Sequence, residues 1–178
     1  MGPCDAVPGE HRALVEAYAR TRLEFLDPAT GRERVLHPAP PGVAGPWPFR
    51  DASAAAVVTA WHPRSDPGRD PSRNRADLDD LRRTVLSAGH RAIDCIGVGP
   101  ATDVAPDAFE GVASGASAGS WSEPSLLVPG VDRETACAWA ASFEQNAIFW
   151  WTPSDWRVVG VLLATPDVVL GWRLSPAD

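Results

Sequence analysis

The stretch from Val57 to Gly89 constrains the fold more than any other part of the sequence. It starts with an apolar run that ends at Trp61, continues through a polar loop containing Pro and Arg, and reaches Asp70 and Pro71. Asp is a strong helix N-cap, Pro suits the first helical position, and Gly favours the position just past a helix. The stretch therefore predicts a buried strand that leads through a short loop into a capped helix ending near Gly89.

The segments that follow repeat this alternation of strand and helix signals. Apolar runs predict strands over 91–98, 124–128 and 147–151, and Asp132 marks the start of a second capped helix. The order strand, helix, strand, strand, helix, strand is that of the ferredoxin-like split β-α-β-β-α-β unit. We predict an α+β fold with this core, to which an N-terminal helix and hairpin and a C-terminal hairpin are added.

The length of 178 residues fits a single domain, because domains usually contain about 100–200 residues. We divide it into an N-terminal helix, hairpin and Pro-rich connector over 1–53, the core over 54–151 and the C-terminal hairpin over 152–178. The segments 37–50 and 99–120 are predicted to be loops, and the sequence does not decide whether they are ordered.

Composition excludes several classes of function. All 16 Lys or Arg positions hold Arg, so a Schiff-base, pyridoxal-phosphate or P-loop Lys is impossible. The formal net charge of -7 argues against a nucleic-acid partner, which requires clustered positive charge. Cys4, Cys95 and Cys137 are widely spaced and predict neither a disulfide framework nor a zinc knuckle. With no signal-peptide pattern and no apolar run of about 20 residues, we expect a cytoplasmic protein that has no membrane contact.

The predicted topology brings four polar segments to one edge of the sheet. The first strand ends and the first helix begins at this edge, the third strand begins there, and the second helix ends there. The residues concerned are Trp61, His62, Arg64, Ser65, Asn74, Arg75, Trp121, Glu123, Ser125, Gln145 and Asn146. We predict that these segments form one ligand site, no broader than a typical pocket.

The same segments, taken in order, also form a pattern that can be compared with known families. They are Thr59–Ser65, Asn74–Arg75, Trp121–Val128 and Phe143–Trp150. In these residues the chain resembles the bacterial domain-of-unknown-function 3293 family, over roughly residues 18–151. The resemblance implies no particular activity. Two features depart from the family pattern: His62 stands where the family usually has Asn, and the loop over 99–120 is longer than usual.

His62 and Glu123 are the predicted catalytic residues. His is the side chain that titrates near neutral pH without perturbation, and a carboxylate placed beside Trp at the start of an apolar strand can have a perturbed pKa. Each residue also has a structural explanation. His62 can be an ordinary hydrogen-bonding loop residue, and Glu123 can form a salt bridge with Arg64 or Arg75.

The remaining residues at the edge are predicted to bind the ligand. The indole rings of Trp61 and Trp121 can stack on a ligand or pack in the core. Asn74 can equally tie down the preceding loop, and Asn146 can cap a helix. The predicted polar ligand contacts come from Arg64, Ser65, Asn74, Arg75, Ser125, Gln145 and Asn146.

Two kinds of function fit these residues, and the sequence does not decide whether the protein is an enzyme. The first is a small-molecule-binding protein that acts as a cofactor-independent acid–base enzyme (isomerase, cyclase, lyase or hydrolase) on a small, anionic organic substrate. The second is a non-catalytic ligand-sensing or protein-interaction module whose polar edge residues are structural. We expect no metal, because the His residues lack ligand spacing, and no cofactor. A small-molecule ligand is the expected partner, and a homodimer is the candidate assembly.

Overall fold

Eight antiparallel strands close into a barrel in the computed structural model, which describes residues 9–66, 68–100 and 120–177. The strands are β1 (Arg22–Leu26), β2 (Glu33–Ala39), β3 (Ala55–Val58), β4 (Ile93–Pro100), β5 (Ser120–Pro129), β6 (Ala147–Trp151), β7 (Trp156–Gly160) and β8 (Val168–Pro176). The helices within these residues are α1 (Gly9–Ala19), α2 (Pro71–Ser87) and α3 (Arg133–Ser142). The order around the barrel is β1-β2-β8-β7-β6-β3-β5-β4, and β4 pairs with β1 to close it.

The fold class predicted from the sequence, a ferredoxin-like α+β fold, is wrong. The ferredoxin-like unit implies that β3 pairs with both β5 and β6. These two pairings are present, and β4 lies beside β5. In a ferredoxin-like fold, however, β4 and β6 would be the edges of an open sheet. Here β4 pairs with β1, β6 pairs with β7, and β2 pairs with β8. The N-terminal and C-terminal hairpins therefore complete the barrel, which leaves no edge of the sheet unpaired.

The central strands are apolar on both faces, because each face has its own hydrophobic neighbour. Residues alternate between the two faces of a strand. In β5, Leu127 packs inside the barrel, whereas Leu126 and Val128 pack outside it against the helices. Buried Leu81 of α2 and Ala140 of α3 belong to this outer layer. Double burial explains the continuous apolar run that predicts β3.

Two local caps fix where α2 and α3 begin, as the sequence predicts. The side chain of Asp70 accepts a hydrogen bond from the backbone N–H of Ser72 at 2.7 Å. The side chain of Asp132 accepts one from the backbone N–H of Thr135 at 2.8 Å. These bonds satisfy N–H groups that have no partner within the helix. They also set the position of Asn74, which lies in the first turn of α2.

Aromatic side chains fill one half of the barrel. We call this the lower half, which is the end where β3 and β7 begin. The upper half is the opposite end, where β3 and β7 finish. Trp151, Trp156 and Trp172 are fully buried. Trp47 and Phe49, from the connector between β2 and β3, pack on Trp151 with ring centroids 4.9 and 5.5 Å apart. The lower half is therefore a packed hydrophobic core with edge-to-face ring contacts.

The predicted loops are shorter than expected where the structure describes them. Residues 37–39 belong to β2, and the connector after them is tied to β8 by a hydrogen bond from the Trp172 N–H to the Val43 carbonyl at 2.9 Å. Gly99 and Pro100 belong to β4, and Ser120 belongs to β5; the rest of the predicted 99–120 loop lies outside the described residues. No helix in the described ranges is long and apolar enough to cross a membrane.

Candidate functional site

The upper half of the barrel contains a small cavity instead of a packed core. Its volume is about 20 Å³, which is room for about one water-sized group. The wall comes mainly from β3, β5 and β6, with single residues from α1, β4 and β7. Its polar and aromatic lining residues are Tyr18, Thr59, Trp121, Glu123, Ser125, Gln145 and Phe149.

Glu123 carries a carboxyl group to this cavity because of its position on β5. It lies on the same face of the strand as Leu127, which is inside the barrel. The residue directly opposite Glu123 on β4 is Gly97, which has no side chain to fill the space. Burial raises the pKa of Glu123 to about 8. The carboxyl group is therefore mostly protonated at neutral pH, and a small change of environment can ionise it.

Tyr18, near the end of α1, lines the same cavity, and the charge of Glu123 acts on its hydroxyl group. Its ring meets Phe149 edge to face, with centroids 6.1 Å apart. Burial and the neighbouring Glu123 carboxylate raise the pKa of Tyr18 to about 12, while hydrogen bonding to Ser65 and Asn146 acts in the opposite direction. Asn146 Nδ2 also donates to Ser65 Oγ at 2.9 Å. The hydroxyl group thus stays protonated at neutral pH and joins α1 to the loops above β3 and β6.

The loop after β3 has an unusual backbone conformation. His62, Arg64 and Ser65 have φ values of 45°, 53° and 58°, and Glu144, whose carbonyl accepts a hydrogen bond from the Arg64 N–H at 2.8 Å, has a φ of 54°. No other non-Gly residue in the described ranges has a positive φ. Each such conformation costs about 1–3 kcal/mol and persists where surrounding contacts enforce it, which happens often at functional sites.

Two of the predicted ligand-binding amides hold this loop in place. Asn74 Oδ1 accepts a hydrogen bond from the backbone N–H of His62 at 3.2 Å. Gln145 Nε2 donates to the carbonyl of Trp61 at 3.2 Å. Three of the four predicted segments are therefore in direct contact. Asn74 therefore makes the contact that its structural explanation predicts, a hydrogen bond to the preceding loop.

The two arginines that were candidates for a salt bridge with Glu123 do not pair with it. Arg64 is exposed, and its guanidinium group pairs with the Glu144 carboxylate at 2.8 Å. Arg75 is exposed on α2, and no ion pair within the described residues involves it. Glu123 therefore has a raised pKa caused by burial, without a cation that would lower it.

His62 is buried, but it is not among the described residues that line the Glu123 cavity. Burial lowers the pKa of His62; the nearby Asp66 carboxylate opposes this shift, and Arg69 adds to it. Among the described residues, Asp66 and Arg69 are the charged groups that shift the pKa of His62. The structure does not join the two predicted catalytic side chains as a pair, and a catalytic role for His62 stays a prediction.

The two predicted aromatic ligand contacts have different positions. Trp121 and Ser125 line the cavity with Glu123, as expected for alternate residues of one strand. The Trp121 ring lies directly on the backbone of Gly99, so closely that a Cβ atom at Gly99 would overlap it. Trp61 is buried and does not line the cavity within the described residues.

Sequence reasoning missed Tyr18, because α1 lies outside the predicted core and its position depends on barrel closure. One signal was available, since Tyr18 is the only Tyr in the sequence. Within the described residues, no three His, Cys, Asp or Glu side chains are grouped as metal ligands would be. The cavity instead combines a carboxyl group that titrates near neutral pH with a hydroxyl group, an arrangement able to transfer a proton to or from a bound group.

A family model matches residues 58–148, just over half of the sequence. The matched segment begins at the end of β3 and ends in β6, so it contains Glu123 and the His62 loop but not Tyr18. It is shorter than the 18–151 range over which the sequence resembles the family. No curated protein matches the chain, and no solved structure does. On the evidence of this match, the chain belongs to the family described as protein of unknown function (DUF3293).

Proposed function

We propose that the upper end of the barrel binds a small organic molecule and that Glu123 acts on it as a general acid or base. One observation carries the proposal: a carboxyl group inside a cavity has a pKa of about 8. Acid–base catalysis is most effective when the pKa of the group lies near the working pH. A partly buried carboxyl group without a cationic partner also costs stability, which is typical of a group kept for its chemistry.

The size of the cavity limits what part of the ligand meets Glu123. A volume of about 20 Å³ accepts a single polar group, such as a hydroxyl, carbonyl or amino group. The rest of the ligand would lie outside the cavity, where the partly buried Trp121 offers aromatic surface. Isomerisation, cyclisation, elimination and hydrolysis each include a proton transfer that one such group can undergo.

The neighbouring side chains have separable roles in this proposal. The Tyr18 hydroxyl would orient the polar group of the ligand beside Glu123. Gln145 uses its Nε2 atom to hold the Trp61 carbonyl and has its Oε1 atom available as an acceptor. The loop around His62 would act as rigid support for Tyr18, because Ser65 interacts with the hydroxyl group.

A thermal-shift screen of small polar molecules, run below and above the Glu123 pKa of about 8, tests the proposal. Ligands should stabilise the parent protein to an extent that changes across this pH range. Glu123→Gln should remove this pH dependence. Glu134→Gln, which removes a carboxylate exposed on α3, is the matched control and should retain it. Ligands whose binding has the same pH dependence in the parent and in Glu123→Gln would refute the acid–base role.

A non-catalytic ligand-sensing module is the second candidate, and one observation favours it. Arg64, Asn74 and Gln145 each make contacts within the protein, as purely structural residues do. The two functions differ in the fate of the ligand. Following a ligand from the screen by NMR over time separates them, because an enzyme converts the ligand and a sensor leaves it unchanged.

A further inference from the structure

A larger groove opens at the same end of the barrel, beside the Glu123 cavity. Its volume is about 760 Å³, within the range of about 300–1,000 Å³ found for small-molecule sites. It is lined by the upper ends of β1, β2, β4 and β8 and the end of α1. Tyr18 and Gly97 line the cavity. Arg20 and Gly99, which come two residues after them in the sequence, line the groove. The two spaces therefore lie close to each other, although no described residue lines both.

Both charged residues that line the groove are arginines. Arg20, Arg22 and His37 line it, and no Asp or Glu is among its described lining residues. Arg20 Nε donates to the backbone carbonyl of Glu16 at 3.3 Å, and no carboxylate in the described ranges pairs with Arg20. Arg22 Nε pairs with Glu24 at 3.0 Å, which leaves its other guanidinium N–H groups for further acceptors. In a chain of net charge -7, this is a local site suited to an anion.

The rest of the groove is mainly apolar. Pro38, Pro40, Val98, Pro100 and Leu170 line it next to the basic residues. A site for a bare inorganic ion needs no such wall, whereas an organic acid presents both an anionic group and a hydrocarbon body. Guanidinium groups bind carboxylate and phosphate oxygens through charge-assisted hydrogen bonds.

We infer that this groove binds an organic anion, with its acidic group at Arg20 and Arg22 and its body against the apolar wall. The inference rests on the proposed function, since it supplies the volume that the Glu123 cavity lacks. It also replaces Arg64 and Arg75 as the arginines that recognise the charge of the ligand.

Benzoate and its neutral isostere benzamide are suitable probes, titrated into the uniformly ¹⁵N-labelled chain and followed by NMR. Benzoate should shift the backbone amide signals of Arg20, Arg22 and Gly99 in a saturable way. Benzamide should bind about tenfold more weakly or worse, because it cannot form the charge-assisted hydrogen bonds.

Paired variants identify the residues responsible. The double variant Arg20→Gln/Arg22→Gln should lose about tenfold or more of the benzoate affinity. Arg32→Gln removes an exposed guanidinium from the turn between β1 and β2, at the opposite end of the barrel, and should bind benzoate like the parent. Equal binding of benzamide and benzoate, an equal loss in Arg32→Gln, or no shifts with millimolar benzoate would each overturn the inference.

A third variant separates this inference from the proposed function. Glu123→Gln should bind benzoate as tightly as the parent, because Glu123 does not line the groove. Suppose that benzoate binds in the groove and that the binding of the screened ligands does not depend on Glu123. This result would support the anion site and refute the acid–base role of Glu123. In the opposite result, neutral molecules bind in a way that depends on Glu123, and benzoate does not bind. This result would support the acid–base role and refute the anion site.

Discussion

The two halves of the barrel interior are built from the same strands but have opposite chemistry. In the lower half, Trp151 lies 6.2 Å from Trp156 and 5.1 Å from Trp172, measured between ring centroids. In the upper half, Gly97 leaves space opposite Glu123, and the space is a cavity. An eight-stranded barrel is just wide enough for side chains to fill it, so glycine on one strand opens room for a ligand group. We infer that the packed aromatic half supplies enough stability to offset the cost of the partly buried Glu123 carboxyl group in the upper half.

The largest expected effect tests the aromatic half. Trp151→Ala should lower the free energy of unfolding by about 3–5 kcal/mol, because it empties a fully buried site that five aromatic rings contact. Trp121→Ala, in the upper half, should cost clearly less, because Trp121 is only partly buried. Urea denaturation of both variants gives the comparison. Equal losses would show that the two halves contribute alike.

The next effect is the pH dependence of stability, which tests the polar upper half of the barrel. Folding raises the pKa of Glu123 from 4.5 to about 8, so the folded state holds this proton more tightly than the unfolded state. Below pH 4.5 both states are protonated, and stability should fall as the pH rises from there to about 8. Since one pKa unit corresponds to about 1.4 kcal/mol, the loss should reach several kcal/mol.

Urea denaturation over this pH range measures the effect. Glu123→Gln should flatten the dependence and be more stable than the parent at high pH, while Glu134→Gln should keep the parental slope. A slope that survives in Glu123→Gln would assign the titration to another group.

Two glycines on β4 provide a smaller and more local test of the upper half. Gly99→Ala should cost about 1–3 kcal/mol, because the new methyl group would overlap the Trp121 ring and displace it. Gly97→Ala is the matched control, since its nearest neighbour would be Thr21 Cγ2 at 3.6 Å, an ordinary contact. Denaturation curves give the cost, and the indole N–H signal of Trp121 in NMR spectra reports its displacement. A change of that signal in Gly97→Ala alone would contradict the packing described.

The smallest expected effect is that of the Tyr18 hydroxyl group. Tyr18→Phe keeps the ring contact with Phe149 and removes only the hydroxyl that interacts with Ser65 and Asn146. A lost hydrogen bond of this kind should cost about 1 kcal/mol in urea denaturation. A loss comparable to that of Trp151→Ala would mean that α1 stabilises the barrel as strongly as the aromatic core does.

The sequence predicts what depends on neighbouring residues and misses what depends on distant pairing. Asp70 and Asp132 identify the starts of α2 and α3, because a cap is a contact across two or three residues. Barrel closure requires β1 to pair with β4 and β2 with β8, strands far apart in the sequence. The apolar pattern of the central strands is the same in an open, helix-covered sheet and in a barrel, so it could not reveal the closure.

The candidate site shows the same division. Glu123 stands out in the sequence as a carboxylate at the start of an apolar strand, and the contact of Asn74 with the His62 loop follows from the strand, loop and helix order around it. The contact of Gln145 with Trp61 depends on the pairing of β3 with β6, which the predicted core also contains. The place of Tyr18 could not be predicted, because α1 reaches the cavity only once the barrel has closed. The position of Arg20 near the site could not be predicted for the same reason, because it also depends on barrel closure.

The position of β8 in the closed barrel has a consequence for how the protein is made. β8 is the last strand described, and it pairs with β2, one of the first to leave the ribosome. Until β8 arrives, β2 and β7 each have a row of unpaired N–H and C=O groups, which can pair with other chains. Domains emerge at about 5–20 residues per second, so a nascent chain keeps these groups open for seconds. Until β8 has been synthesised and closes the barrel, β2 and β7 are therefore open to pairing with other chains.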